Sequence, residues 1–404
     1  MRPLPIVAST MTNACGVGTG EVLRALQAGV SGLRRNDFEP AAMLATWIGR
    51  VGAVDVSPMP EAFAAYDCRN NRVAQLALEQ DGFVAAVRGA AQRHGADRIG
   101  VFLGTTTSGI LATELAYRAI TKCREDATAR QESEGANLSP ELFRCRHSLF
   151  ATTEFVRAYL NLSGPAATIS TACSSSAKVF ATAARSIAAG DCDAAVVGGV
   201  DSLAMSTLYG FHSLELLSRH PCRPCSMDRD GISIGEAAGF ALLDSKGDAP
   251  VRFAGSGESS DAYHMSSPHP EGAGAARAMQ SALRDAEMAP ADIDYINLHG
   301  TASRPNDAAE DRAVFSVFGA DTPVSSIKGW IGHTLGAAGI MGALIAELAL
   351  REQWMPGTQN CDRVDPQLAC AVVLQSQPRQ LRRVLCNAFG FGGTNCSLVL
   401  EAAP

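Results

Sequence analysis

Two stretches of the chain repeat one pattern of apolar and polar positions. In the first, AATIS (166–170) reads as a strand, Thr171 to Ser176 as a turn, and Ala177 to Ala189 as a helix too apolar to face water, followed by DAAVVGGV (193–200) as a buried strand. In the second, PVSSI (323–327) is the strand, Lys328 to Leu335 the turn, and Gly336 to Leu350 the helix, again small and aliphatic all round. Helices without a polar face belong between layers. Further strands are predicted at RIGVFLG (98–104), GFALLDS (239–245), DYINLHG (294–300), AVVLQS (371–376) and CSLVLE (396–401), with helices at Val73 to Leu78, Ala276 to Asp285 and Ala308 to Phe318. The alternation predicts an α/β protein with largely buried sheets. GDAP (247–250) is the clearest break, dividing the chain into residues 1–247 and 248–404, two halves joined closely enough to pack as one body.

Composition agrees with that picture and narrows the function. At 404 residues, with 47% hydrophobic against 19% charged, the chain has ample material for a large core. A formal net charge of −7 argues against a surface built to neutralise phosphates, so nucleic acid is not an expected partner. No stretch is apolar for long enough to span a bilayer, and Met1 to Gly20 makes a poor signal peptide but a reasonable strand and turn; the expected location is the cytoplasm. The 12 cysteines are scattered through apolar sequence, as reduced, buried cysteines are. Cys222 and Cys225 lack the second ligand pair of a zinc site, and GVGTG (16–20) lacks the rest of a dinucleotide fingerprint, so neither metal nor nucleotide cofactor is expected.

Cys173, in STACSSSAK, sits where a strand ends and a buried helix begins. Unpaired N–H groups at such a helix end favour thiolate over thiol and make a better nucleophile. Two of the histidines lie in glycine-flanked turns beyond apolar strands: His299 in NLHGTAS and His333 in GWIGHTLGAAG. With Cys173 and the glycine-rich FGFGGTN (389–395) they form a set that structural need alone does not explain.

TACSSS, HGTASRPNDAAE, SSIKGWIGHTLGAAG and NAFGFGGTN resemble, in order, the four signature blocks of the β-ketoacyl synthase I/II family. The resemblance covers essentially the whole chain. It implies the thiolase fold, two related α/β halves in a five-layer αβαβα architecture, and decarboxylative condensation without a cofactor. By that resemblance Cys173 accepts the acyl group, while His299 and His333 drive malonyl decarboxylation and stabilise the enolate. Backbone N–H groups of Cys173 and Phe391 would form the oxyanion hole. Lys328 matches the active-site lysine; Thr301, Asp307 and Glu310 match the network around His299; Phe391 and Phe389 match an aromatic gate. Two positions depart from the family pattern. Gly342 stands where a glutamate near the lysine is usual, which leaves the partner of Lys328 open, and Cys225 replaces an aromatic in CRPCS.

The resemblance also implies partners. Acyl carrier proteins are acidic, so a basic rim is expected; Arg69 and Arg72 match the docking helix, and Arg118, Lys122 and Arg124 are a looser placement. A homodimer is expected, or a heterodimer with a chain-length partner. GTTTSGI (104–110) and GESSDAYHMSSPHPEG (257–272) look most like the synthases of aryl-polyene clusters, with Thr107 near the pocket floor. A housekeeping fatty-acid synthase is the alternative. Non-catalytic chain-length partners replace the active cysteine, and thiolases use a late cysteine as acid/base, for which Cys396 would be the candidate; the intact GHTLGAAG block favours the condensing reading.

Overall fold

The computed structural model describes residues 1–125 and 139–403. One strand order occurs twice. The first half contributes β1 (Leu4–Asn13), β2 (Ile99–Gly104), β3 (Ala166–Ile169), β4 (Ala194–Asp201) and β5 (Ala237–Asp244). They lie side by side as β1-β5-β4-β2-β3, the first two pairings antiparallel and the last two parallel. The second half contributes β6 (Val251–Ser260), β7 (Tyr295–Asn297), β8 (Pro323–Ser325), β9 (Ala371–Val372), β10 (Arg383–Gly390) and β11 (Thr394–Ala402). Their order is β6-β11-β10-β7-β8, with β9 beyond β8, and the same alternation of antiparallel and parallel pairs. A short antiparallel pairing of β1 with β6, Leu4 opposite Phe253, joins the two sheets.

Helices fill the remaining layers. On the outer face of the first sheet lie α1 (Arg69–Leu78), α2 (Phe83–His94) and α3 (Ala151–Tyr159). Between the sheets run α4 (Ser175–Ala189), against β2 and β4, and further along the chain α7 (Ala338–Glu352), against β10, β11 and β5. The second sheet is covered by α5 (Ala273–Asp285) and, packed upon it, α6 (Arg304–Phe318). The result is the five-layer αβαβα thiolase fold. Every residue of α7 from Ala338 to Leu350 is buried, as the sequence pattern required.

The two central helices touch backbone to backbone. A Cβ added at Gly339 would stand 2.3 Å from the backbone N of Ala177, so glycine is what lets α7 seat against the first turns of α4. This contact brings the turn before α4, with Cys173, close to the turn before α7, with His333. No helix among the described residues is long and apolar enough to cross a membrane.

Candidate active site

Cys173 is 6% exposed, on a turn that ends β3 and leads into α4. Its predecessor Ala172 takes φ 52°, a left-handed conformation that a non-glycine residue holds only where its surroundings enforce it. The enforcement is visible: Thr394 Oγ1 donates to the Thr171 carbonyl at 3.0 Å and pairs with Ser174 Oγ at 2.8 Å. Thr394, not singled out in the sequence, thus ties the nucleophile turn to the loop 389–393. The backbone N–H groups of Phe391 and of Cys173 itself face the sulfur.

One expectation is corrected here. The helix end does not make a resting thiolate: burial pushes the Cys173 thiol up to about 11, against the pull of the Lys328 charge and the two N–H groups.

His299, His333 and Cys173 converge. The sulfur and one nitrogen of each ring all lie within 4.8 Å of one another. The rings meet edge to face with centroids 5.3 Å apart. His333 Nδ1 accepts the N–H of Leu335 at 3.0 Å, so in the neutral ring the proton sits on Nε2. His299 Nδ1 is buried without a partner among the described residues. Both rings are held neutral: burial, then the Lys328 charge, takes His333 down to about 3 and His299 well below its ordinary value.

Behind His299, Glu310 accepts the N–H groups of His299 and Gly300, both at 2.7 Å, and the Asn387 amide at 3.1 Å. Burial raises its carboxyl to about 7. Lys328 Nζ donates to the His299 carbonyl, and burial lowers its affinity for a proton while Glu310, Cys173, Cys222 and Asp307 oppose that fall. The question left by Gly342 is answered by geometry. Gly342 faces Cys386 on β10, and Lys328 turns to the His299 loop. Asp307 accepts the N–H of Cys225 at 2.9 Å and that of Ala302 at 3.2 Å, and lies 3.4 Å from Arg229 Nε. Thr301 Oγ1 pairs with Ser303 Oγ at 3.0 Å, in the chamber wall. Asn387 and Arg229 were not singled out in the sequence: Asn387 opens the block NAFGFGGTN but nothing local announces Glu310 as its partner, and an arginine among charged neighbours carries no special pattern.

The chamber encloses about 210 Å³. Cys173, His299 and His333 stand at its inner end, and Phe211, Leu214, Leu216 and Pro268 form its outer walls. Phe389 and Phe391 both line it; Phe389 packs on His299 at 5.9 Å and Phe391 on Phe211 at 5.6 Å.

Two expected positions, Thr107 and Arg69, fall elsewhere. Thr107 does not line the chamber of the single chain; its hydroxyl donates to Asp201 at 2.7 Å. Arg69 is not a free surface cation. Its side chain is 11% exposed and bound to Glu236 and Asp55. Arg72 is partly exposed but paired with Asp67 through two bonds, at 2.5 and 2.7 Å. Arg118 is exposed on the helix Ile110–Glu125, and the side chains of Lys122 and Arg124 lie outside the described residues.

The duplicated sandwich, with a cysteine at a central helix start facing two imidazoles from the other half, defines a thiolase-fold protein. Within that class the chain belongs to the β-ketoacyl synthase family: models of its N-terminal and C-terminal domains match residues 52–249 and 251–362. It is 31% identical over 323 residues to a 3-oxoacyl-[acyl-carrier-protein] synthase 2 of Staphylococcus aureus, covering 76% of this chain and 77% of that protein. Identity rises to 38% over 260 residues with the synthase 2 of Vibrio cholerae, an alignment that spans 59% of this chain and only 63% of that protein's length. Among solved structures, the ketosynthase ApeO of Xenorhabdus doucetiae, in complex with its chain length factor ApeC, is similar with a TM-score of 0.89 at 38% identity, over 99% of this chain and 98% of that one. A β-ketoacyl synthase from Burkholderia phymatum gives 0.85 at 27% identity over the whole of both chains.

Proposed function

We propose that this chain is a β-ketoacyl-[acyl carrier protein] synthase that condenses an acyl group held on Cys173 with malonyl-acyl carrier protein, releasing carbon dioxide and 3-oxoacyl-acyl carrier protein. The observation that carries the reading is the approach of the sulfur and both imidazoles to within 4.8 Å at the inner end of one chamber. In the first step the Cys173 sulfur forms a thioester and the carrier thiol leaves with the proton. In the second, the malonyl C–C bond breaks and its electron pair moves onto the thioester oxygen as an enolate. His333 is suited to that oxygen because Nε2 is a donor and the ring is neutral, so it hydrogen-bonds without surrendering a proton. The enolate carbon then attacks the Cys173 acyl carbonyl. Its oxyanion faces the N–H groups of Cys173 and Phe391, and collapse releases the sulfur as thiolate, which takes a proton from solvent.

The likeness to ApeO supports an aryl-polyene or related polyene pathway over housekeeping fatty-acid synthesis, and a heterodimer with a chain-length partner alongside the homodimer. The work falls between residues 1–247, which carry the nucleophile, and 248–404, which carry both histidines and the gate. The carrier protein is the partner, and the cytoplasm the location.

Intact-mass measurement after incubation with acyl-carrier thioesters tests the reading. An acyl adduct on Cys173, absent in Cys173→Ala, is expected, with His299→Ala and His333→Ala still acylated but releasing little carbon dioxide. Labelling at another cysteine would refute it. Loading with conjugated against saturated acyl groups separates the two pathways; preference for long saturated chains removes the polyene reading.

A further inference from the structure

Asp201, at the end of β4, is fully buried beside the chamber, and the steps above make no use of it. Its two oxygens accept from six donors, all uncharged: Thr105 Oγ1 at 2.7 Å, the N–H and hydroxyl of Thr106 at 2.9 and 2.6 Å, the N–H and hydroxyl of Thr107 at 2.9 and 2.7 Å, and the N–H of Gly336 at 2.5 Å. Five of these come from the loop after β2, in the half that carries Cys173. The sixth comes from the loop that carries His333.

That sixth bond matters because of what precedes it. Leu335 has φ 53°, the left-handed conformation again at a bulky residue. On one side of this bend its own N–H donates to His333 Nδ1; on the other, the next N–H, that of Gly336, is held by Asp201 Oδ2. Releasing the second bond lets the peptide relax toward ordinary φ and swings the Leu335 N–H away from the ring. The imidazole then loses the contact that fixes which nitrogen bears the proton.

We infer that Asp201 is a positioning residue for His333: it links the two halves and, by holding Gly336, keeps Leu335 bent so that His333 presents Nε2–H toward the reacting thioester. This rests on the condensing reading of the same site. Asp201 does not line the chamber. Its charge also reaches the Cys173 sulfur, where it opposes ionisation while Lys328 favours it; His299 and His333 are the other titratable groups facing that sulfur.

The test separates acylation from decarboxylation. Asp201→Asn and Thr106→Val are compared with the wild type for acyl loading of Cys173, for carbon dioxide release from malonyl-acyl carrier protein, and for Tm. An amide presents its own N–H to donors on one side, so Asp201→Asn is expected to slow carbon dioxide release on the order of tenfold to a hundredfold, as loss of an orienting contact does, with loading within about threefold of wild type. Iodoacetamide alkylation of Cys173 in this variant should move to lower pH, because an anion opposing the thiolate is gone. Thr106→Val removes one donor from the oxygen that holds Gly336 and should lower release several-fold at an unchanged Tm; it decides the matter if Asp201→Asn does not fold. Equal loss of loading and release, or wild-type rates for both, overturns the inference. A wild-type protein that neither loads nor decarboxylates overturns the condensing reading instead.

Discussion

Glu236 grips the guanidinium of Arg69 through both carboxylate oxygens, at 2.6 and 2.8 Å, deep under α1. The same oxygens accept the N–H groups of Val51 at 2.9 Å and Leu203 at 3.0 Å, so Arg69 neutralises a fully buried carboxylate that also organises two chain segments. Removing one partner of such a pair strands the other. Arg69→Ala is therefore expected to cost about 3–5 kcal/mol in urea denaturation, whereas Arg72→Ala, which frees only the partly exposed Asp67, should cost about 1 kcal/mol or less.

Carrier docking is accordingly tested at the basic positions that reach solvent. Arg72→Glu and Arg118→Glu should raise KM for carrier-bound substrate several-fold, more so at low salt, and leave hydrolysis of small thioesters unchanged. Equal effects on both substrates would remove these residues from the docking rim.

Two glycines of α7 should respond in opposite directions to alanine. At Gly342 the nearest atom to an added Cβ is Cys386 Cβ at 4.0 Å, ordinary contact distance, so Gly342→Ala should stabilise by about 1 kcal/mol through helix propensity with activity unchanged. At Gly339 the same methyl would collide with α4. Gly339→Ala should cost about 1–3 kcal/mol and lower condensation as the turns carrying Cys173 and His333 move apart. Thermal denaturation and turnover of both variants check this.

Because burial holds the Cys173 thiol up to about 11, iodoacetamide alkylation should climb about tenfold per pH unit from about pH 7 to 10, without a plateau at neutral pH. Lys328 favours the thiolate by its charge. Lys328→Met should push the thiol higher still and slow alkylation at every pH in that range. A plateau below about pH 8 in the wild type would contradict the direction of the shift.

The two buried imidazoles make stability depend on pH. In the unfolded chain each takes a proton near 6.5, whereas the folded protein withholds it until about 3 at His333 and until well below the ordinary value at His299. Below pH 6.5 the unfolded state binds more protons, so stability is lost as pH falls, about 1.4 kcal/mol per unit for each histidine. Glu310, raised to about 7, gains stability over the same range, so the histidine share is read as the difference in urea midpoints between wild type and His333→Asn at about pH 7.5 and 5.5. His333→Asn should shallow the loss by one histidine's share; an unchanged slope would refute the contribution.

Much of this was legible in the sequence where one local property dominated. The strands at 98–104, 166–170 and 239–245 and both central helices were plain because they are apolar on all faces, and Cys173, His299 and His333 stood out by their turn contexts. What was missed followed from contacts between distant segments. VRFAGSGESS (251–260) was not assigned a strand but forms β6; its glycines exist because α5 presses on the strand, an added Cβ at Gly257 falling 2.0 Å from the Ala278 carbonyl oxygen. AVVLQS was overextended, since only Ala371–Val372 pairs with a neighbour. Arg69 looked like a surface cation because nothing local announces Glu236, far along the chain. The helix-end thiolate failed for a related reason: the sequence displays the helix N-terminus, but not the apolar enclosure that outweighs it.

The meeting of Ala177 with Gly339 has a consequence for how such a protein can diversify. The gap between sulfur and imidazole is gauged by main chain resting on main chain, so it cannot drift when side chains elsewhere are exchanged. Leu214, Leu216 and Pro268, at the far rim of the chamber, are free to be traded for larger or smaller neighbours, altering what is admitted while the working distance stays as it was. A lineage can thus change its appetite without recalibrating its chemistry.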